Sequence, residues 1–358
     1  MPRPIQARID LSALEYNLQV ARRVSSTRIM AVIKANAYGH GLLRAAEALN
    51  AAEGFALLDI RDAIGLRDAG FNQTILLLEG FFSPDDLSLV AEYDLACVIH
   101  SQQQIDMLEA YPSRGSLEVW FKIGSGMNRL GFAPDKVPTA LERLKAHPAV
   151  RNITLMTHFA QADEATGVAA QLDVFNTLVA PYRMARSLAN SAALLRYSAT
   201  HADWVRPGIM LYGASPFAEI SAQQLGLQPV MTLQSRIIAV QELRAGEKVG
   251  YGGLFRTEAP MRVGVVACGY ADGYPRHAQT GTPVLVGDQR TRILGRISMD
   301  MLSVDLSALP AADVGSRVTL WGEGLPVEQV AHAADTISYE LLCALTVRVP
   351  IVTSDLTR

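Results

Sequence analysis

Between about Arg28 and Tyr212, short aliphatic and β-branched runs alternate with stretches whose apolar positions recur at helical spacing. Arg28-Ile29-Met30-Ala31-Val32-Ile33 is apolar at every position after the first, the pattern of a strand buried on both faces. From Gly41 to Leu49 the apolar residues Leu42, Ala45, Ala46 and Leu49 recur at helical spacing instead. The same reading predicts strands at Phe55–Leu58, Thr74–Leu78, Ala96–Ile99, Leu117–Ile123, Ile153–Thr157, Leu194–Ser198 and Met210–Tyr212, with helical segments between most of them. Ser83-Pro84-Asp85 combines an N-cap serine with proline at the first helical position, and Ala133-Pro134-Asp135 repeats the signal more weakly. Strands separated by helices pair in parallel, and about eight such units close into a (β/α)8 TIM-type barrel.

After about Leu227 the pattern changes. Val230–Val240, Met261–Ala267, Pro283–Val286, Arg290–Leu294, Met301–Leu306 and Val318–Trp321 are strand-like runs split by Gly, Pro and Asp turns. Without helices between most of them, they predict a mainly antiparallel β domain. Helical patterns follow at Val327–Ala334 and from Ser338. With no fixed-period repeat and no low-complexity linker, the boundary is a change of pattern. It divides the chain into an α/β barrel over 8–227 and a β-rich domain over 228–358, with residues 1–7 able to pair with the latter.

Composition agrees with this size. A barrel takes ~250 residues, and the chain has 358, 49% of them hydrophobic, so roughly a hundred remain for a second domain. The 32 Lys and Arg against 35 Asp and Glu give a net charge of −3, without the clustered positive charge that nucleic acid or an anionic membrane requires. Cys97, Cys268 and Cys343 are odd in number and scattered, which suits a reducing compartment better than a disulfide framework or a CxxC metal site. Met1 to Arg8 lacks the apolar run of a signal peptide, and nothing later is long enough to span a bilayer, so a soluble cytoplasmic protein is expected.

Candidate chemistry begins at Lys34, which ends the first strand in Val32-Ile33-Lys34-Ala35-Asn36-Ala37-Tyr38-Gly39-His40-Gly41. On a barrel that end faces the active site. A desolvated lysine there loses its proton more readily and can attack a carbonyl. Position alone leaves open a lysine reaching into solvent. The wording of the run decides further, because it resembles the pyridoxal-phosphate (PLP) attachment signature of the alanine racemases, a barrel-plus-β-domain family. The resemblance continues through Lys122-Ile123-Gly124-Ser125-Gly126-Met127-Asn128-Arg129-Leu130-Gly131, Thr157-His158-Phe159-Ala160 and Val205-Arg206-Pro207-Gly208-Ile209. In the β domain it covers Gly250-Tyr251-Gly252-Gly253, Gly269-Tyr270-Ala271-Asp272-Gly273-Tyr274, Gly295-Arg296-Ile297-Ser298-Met299-Asp300 and Ile337-Ser338-Tyr339-Glu340.

The resemblance implies PLP held by Lys34, racemisation of alanine, and a homodimer with composite active sites. Lys34 would serve as base on one face of the substrate α-carbon and Tyr251, from the partner subunit, on the other. Inverting the centre requires a proton to leave one side and arrive on the opposite side. Arg206 would meet the pyridine nitrogen; a protonated arginine cannot take a proton from it, so Arg206→Glu is expected to raise side products such as transamination. His158 would lie beside the ring. Arg129 would contact the cofactor's phenolic oxygen and the substrate carboxylate, and Lys122 would be carbamylated, an anion that holds Arg129. Tyr38, Ser198, the N–H groups of Gly208 and Ile209, and Tyr339 would bind the phosphate, and Met299, through its N–H, would help bind the substrate carboxylate, with Asp300 nearby in the substrate site. Tyr270, Arg296 and Tyr339 would narrow the substrate channel. Ser125 and Ser298 depart from the threonine and cysteine usual in the family.

Other readings are weaker. PLP-dependent basic amino-acid decarboxylases share the architecture but need a C-terminal cysteine–aspartate element, whereas Cys343 is followed by Ala344 and Leu345. A non-catalytic PLP carrier resembles only the barrel half. A racemase that also takes serine stays open, since a small pocket rejects one hydroxyl weakly. The seven histidines show no metal-ligand spacing.

Overall fold

β2 (Arg28–Val32), β3 (Gly54–Leu57), β4 (Thr74–Leu77), β5 (Ala96–Ile99), β6 (Leu117–Lys122), β7 (Val150–Met156), β8 (Ala185–Ser187) and β9 (Trp204–Val205) pair in parallel around a closed barrel; one further strand, β1 (Gln6–Asp10), precedes them. The coordinates are a computed structural model describing residues 3–110 and 116–354. The ends of the two predicted segments, residues 1–2 and 355–358, lie outside the described residues. Closure comes from β9 against β2, with Arg28 opposite Trp204 and Ile29 opposite Val205. Past the end of β2 the ladder continues, Val32 N–H donating to Pro207 C=O and Ile33 N–H to Ala56 C=O. Those bonds carry the strand conformation up to Lys34. Phe55, Leu57, Leu76, Val98 and Phe121 are at most 1% exposed, and each such side chain contributes roughly 1.5–3 kcal/mol of burial.

Several helices start where the sequence signals them. Pro84–Glu92 is capped by Ser83, whose hydroxyl accepts from Asp86 N–H while the Asp86 carboxylate accepts from Ser83 N–H. Two predicted strands are corrected. Leu194–Ser198 falls mostly in the helix Ser191–Arg196, and Met210–Tyr212 in a 3-10 turn over Ile209–Tyr212. The real seventh and eighth strands, β8 and β9, have three and two residues, too short to carry a periodicity of their own.

The remaining strands are β10 (Met231–Leu243), β11 (Lys248–Val249), β12 (Phe255–Arg256), β13 (Met261–Val266), β14 (Pro283–Val286), β15 (Gln289–Leu294), β16 (Leu302–Asp305), β17 (Arg317–Trp321) and β18 (Ile351–Ser354). β11 and β12 form a hairpin by themselves; the others join β1 in an eight-stranded sheet of order β13-β16-β15-β14-β17-β10-β1-β18, antiparallel except for β1 with β18. The 13 residues of β10 reach three partners, β1, β17 and β13, and its ladder with β13 shifts register between Ile237 and Ala239. By contact the chain divides into two units, one of Asn17–Ala37 with Gly41–Leu211, the other of Met1–Tyr16, Tyr38–His40 and Tyr212–Arg358. Among the described residues, no helix is long and apolar enough to cross a membrane, and no group of three or more His, Cys, Asp or Glu could hold a metal ion.

Candidate active site

Immediately after Lys34 the backbone takes a left-handed turn: Ala35, Asn36, Ala37 and Tyr38 have φ of 54°, 52°, 53° and 51°. Each L-residue in that region costs roughly 1–2 kcal/mol, so four in succession persist only when the surroundings hold them. Ala37 N–H donates to Ile33 C=O, Gly41 N–H to Asn36 C=O, and the Asn36 side-chain oxygen accepts from Leu42 N–H at the start of the helix Leu42–Ala48. Gly39 is required twice over. Its φ is +80°, and a Cβ there would sit 2.3 Å from the Leu342 carbonyl oxygen.

The turn delivers Tyr38 into an aromatic stack. Its ring lies 4.6 Å from that of Tyr212 at 28° and 6.0 Å from that of Tyr339, while His40 packs on Tyr212 at 4.7 Å. Burial, with Tyr339 nearby, pushes the Tyr38 phenol well above its ordinary pKa, so it is a neutral hydroxyl at any physiological pH.

In the barrel unit, positive charge gathers at the C-terminal ends of the strands. Lys122 ends β6 at 8% exposure. Burial first, then Arg206, Arg129 and Lys34, depress its pKa to about 8, with Glu79 opposing. Arg206 follows β9 and is 3% exposed. Its guanidinium donates to Ser187 Oγ (2.6 Å), Thr157 C=O (2.6 Å) and Leu188 C=O (3.2 Å), and lies 3.4 Å from His158 Nδ1. Burial lowers its pKa to about 10, which leaves it protonated at neutral pH. His158 is pushed well below its ordinary range by burial and then by Arg206, so it is a neutral imidazole whose Nδ1 can accept from the arginine. Among the described residues neither Lys122 nor Arg206 has a carboxylate within salt-bridge distance.

Gly208 and Ile209 are buried at the end of the same segment. The hydroxyl beside them is that of Ser191, 4% exposed, which accepts from Gly208 N–H at 2.9 Å and Met210 N–H at 3.5 Å. Ser198, the serine expected there, is exposed and opens a 3-10 turn beyond the helix. Ser191 is placed there by Asn190, a strong N-cap whose side chain accepts from Ala193 N–H and starts the helix at Ser191. Arg129 is exposed on the loop after β6, which is pinned at its base by Gly124 N–H to Phe132 C=O and Phe132 N–H to Lys122 C=O.

In the β unit, Tyr251 is 71% exposed on a turn whose Gly250, Gly252 and Gly253 all have positive φ. Gly250 approaches the backbone of Arg296. Tyr270 and the Met299–Asp300 segment are brought together by Tyr270 N–H to Ser298 C=O and Ala271 N–H to Met299 C=O. The buried Asp272 carboxylate accepts twice from Arg3 and once from Gly269 N–H; Arg3 also donates to Asp300 C=O and Arg348 to the Asp300 carboxylate at 2.6 Å. Met299 is 52% and Tyr270 37% exposed.

The chain is similar over its whole length to known proteins. The family model described as alanine racemase, N-terminal domain, matches residues 9–216, and that described as alanine racemase, C-terminal domain, matches residues 230–353. A protein named alanine racemase from Nitrosospira multiformis is 63% identical over 357 residues, covering 99% of this chain and 100% of its own. The crystal structure of the biosynthetic alanine racemase from Pseudomonas aeruginosa superimposes with a TM-score of 0.97 at 47% identity, covering 99% of this chain and 100% of that one. The alanine racemase from Bacillus anthracis with bound L-Ala-P gives 0.86 at 29% identity, covering 100% and 97%.

Proposed function

The chain belongs to the alanine racemase family and is an isomerase acting on alanine, and from that premise we propose that it works with PLP through two opposed bases, Lys34 and Tyr251 of the partner subunit, as a cytoplasmic homodimer. The observation that carries this reading is the cluster of Lys34, Lys122, Arg129 and Arg206, in which Glu79 opposes only weakly the cations acting on Lys122. Such a site attracts a ligand bearing several negative charges, and PLP fits it. Lys34 would hold the cofactor covalently. Tyr38, Ser191, the N–H groups of Gly208 and Ile209, and Tyr339 would hold its phosphate, while Arg206, His158 and Arg129 would meet the rest. When bound, PLP supplies an electron sink that stabilises negative charge on the substrate α-carbon.

The protein's own groups then move and restrain a proton. Once the substrate's amino group has taken its place on the cofactor, the freed Lys34 amine would take a proton from the α-carbon on one face and the Tyr251 phenol would return one on the other, with the roles exchanged in the reverse direction. Arg206 stays protonated and donates hydrogen bonds without accepting a proton. Arg129 and Met299 N–H would bind the substrate carboxylate, with Asp300 nearby; Tyr270, Arg296 and Tyr339 would restrict the channel to a small side chain. With its pKa near 8, Lys122 is partly a free amine at neutral pH. Attack of its Nζ on carbon dioxide forms one N–C bond, releases a proton to solvent, and turns a repelling cation into an anion able to hold Arg129. The Pseudomonas relative is described as biosynthetic, which supports supply of D-alanine for the cell wall as the role.

The purified chain is expected to show a visible absorption band and to bring L- or D-alanine to the same mixture. Lys34→Ala should lose both. A colourless protein that leaves both enantiomers untouched would end this reading.

A further inference from the structure

A buried hydrogen-bond relay links the two segments that carry Arg129 and His158, and it starts from a residue on a separate helix. Gln171 lies on the helix Ala169–Val179 at 8% exposure. Its side-chain oxygen accepts from Ala160 N–H at 2.8 Å, and its amide nitrogen donates to His158 C=O at 3.2 Å and to Ser125 Oγ at 3.3 Å. Ser125 Oγ lies 2.6 Å from Thr157 Oγ1, which donates to Ile123 C=O at 3.0 Å. The direction of the chain is determined at both ends. Since Thr157 gives its one hydroxyl proton to Ile123, it must accept from Ser125, whose own oxygen accepts from Gln171. Ser125 and Thr157 are 6% and 1% exposed, so a broken link leaves a polar atom without water to replace it. Gly126, at φ +145°, brings the loop backbone against the Gln171 stem, where a Cβ would meet Cγ at 3.1 Å. Thr157 C=O in turn receives the Arg206 guanidinium.

We propose that Gln171, acting through Ser125 and Thr157, is a positioning residue for racemisation: one amide sets the loop that carries Arg129, the segment that carries His158, and the acceptor that aims Arg206. The inference rests on the functional reading above. Gln171 touches neither substrate nor cofactor, and its effect is on where the groups that do touch them stand.

The test uses the holoenzyme with Gln171→Met, which keeps length and removes all three hydrogen bonds, and with Ser125→Ala and Ser125→Thr. Each is assayed for kcat and KM in both directions, the pH profile of kcat/KM, cofactor absorbance per folded chain and melting temperature. Gln171→Met and Ser125→Ala are expected to retain cofactor absorbance, raise KM for alanine and lower kcat/KM by between about tenfold and a hundredfold, the scale of a misplacement near 1 Å. Ser125→Thr keeps the hydroxyl and should return KM to within about twofold of the parent. A purely structural role would lower the melting temperature while leaving KM and the pH profile of the folded fraction unchanged, and that result overturns the proposal. If Gln171→Met does not fold, Ser125→Ala decides on the same criterion. A parent chain that never racemises alanine sinks the functional reading itself; an active parent with unchanged KM in the variants sinks only the positioning role.

Discussion

Lys122 carries the sharpest prediction at the scale of a single residue. Its pKa of about 8 in the folded chain lies below its ordinary 10.5 because burial and three cations disfavour the charged form. Below about pH 8 both folded and unfolded chains are protonated there, and the folded state bears the whole cost, on the order of 3 kcal/mol. Between about pH 8 and 10.5 the unfolded chain binds more protons, so this lysine's penalty fades and stability rises with pH. Lys122→Met should therefore melt higher than the parent in carbon-dioxide-free buffer at pH 7, with the difference shrinking at pH 10. Bicarbonate should raise the parent's melting temperature and leave the variant's alone. Equal differences at both pH values would refute the account. The resemblance already paired Lys122 with Arg129, whereas the further cations Lys34 and Arg206 around it were not visible along the chain. Ser191 makes the same point: its hydroxyl reaches Gly208 N–H across 17 residues, and only the Asn190 cap advertised it.

At the scale of an element, the left-handed turn after Lys34 has no local cause. None of Ala35, Asn36, Ala37 or Tyr38 is a glycine, and propensity alone would not put four of them at positive φ. Ala35 is exposed, so substitutions there report backbone conformation with little packing. Ala35→Gly removes a cost of roughly 1–2 kcal/mol and adds roughly 0.5–1 kcal/mol of unfolded-chain entropy, for a net gain of up to about 1.5 kcal/mol. Ala35→Val should lose about 1–2 kcal/mol, since β-branched residues resist this region. Denaturant titration of the two variants checks the opposite signs; a glycine variant weaker than the parent would show that the turn is not strained. Elsewhere, local signals sufficed where a cap and a long periodic segment coincided, as at Ser83-Pro84-Asp85. They failed at Leu194–Ser198, where an apolar run of strand length belongs to a helix.

The whole molecule is where the proposed partnership of Lys34 and Tyr251 is decided. Tyr251 is 71% exposed on its glycine turn, a position open to a second copy of the chain. Lys34→Ala and Tyr251→Phe should each be nearly inactive alone, yet co-expressed they should regain about a quarter of parental activity, because half the dimers are mixed and each mixed dimer rebuilds one of two sites. No recovery would mean that both bases come from one chain. What the sequence determined by itself was whatever repeats at short range: strand and helix alternation in the barrel, the switch to turn-separated strands after Leu227, and the motifs that hold Lys34, Tyr251 and Arg206. Tertiary structure alone decided the barrel's closure through a two-residue strand, the pairing of β1 with β18 almost the full chain length away, the burial of Ser191 and the relay from Gln171. Periodicity is a property of neighbours along the chain, whereas hydrogen bonds and charge repulsion depend on distances in space that are set only once the chain has closed on itself.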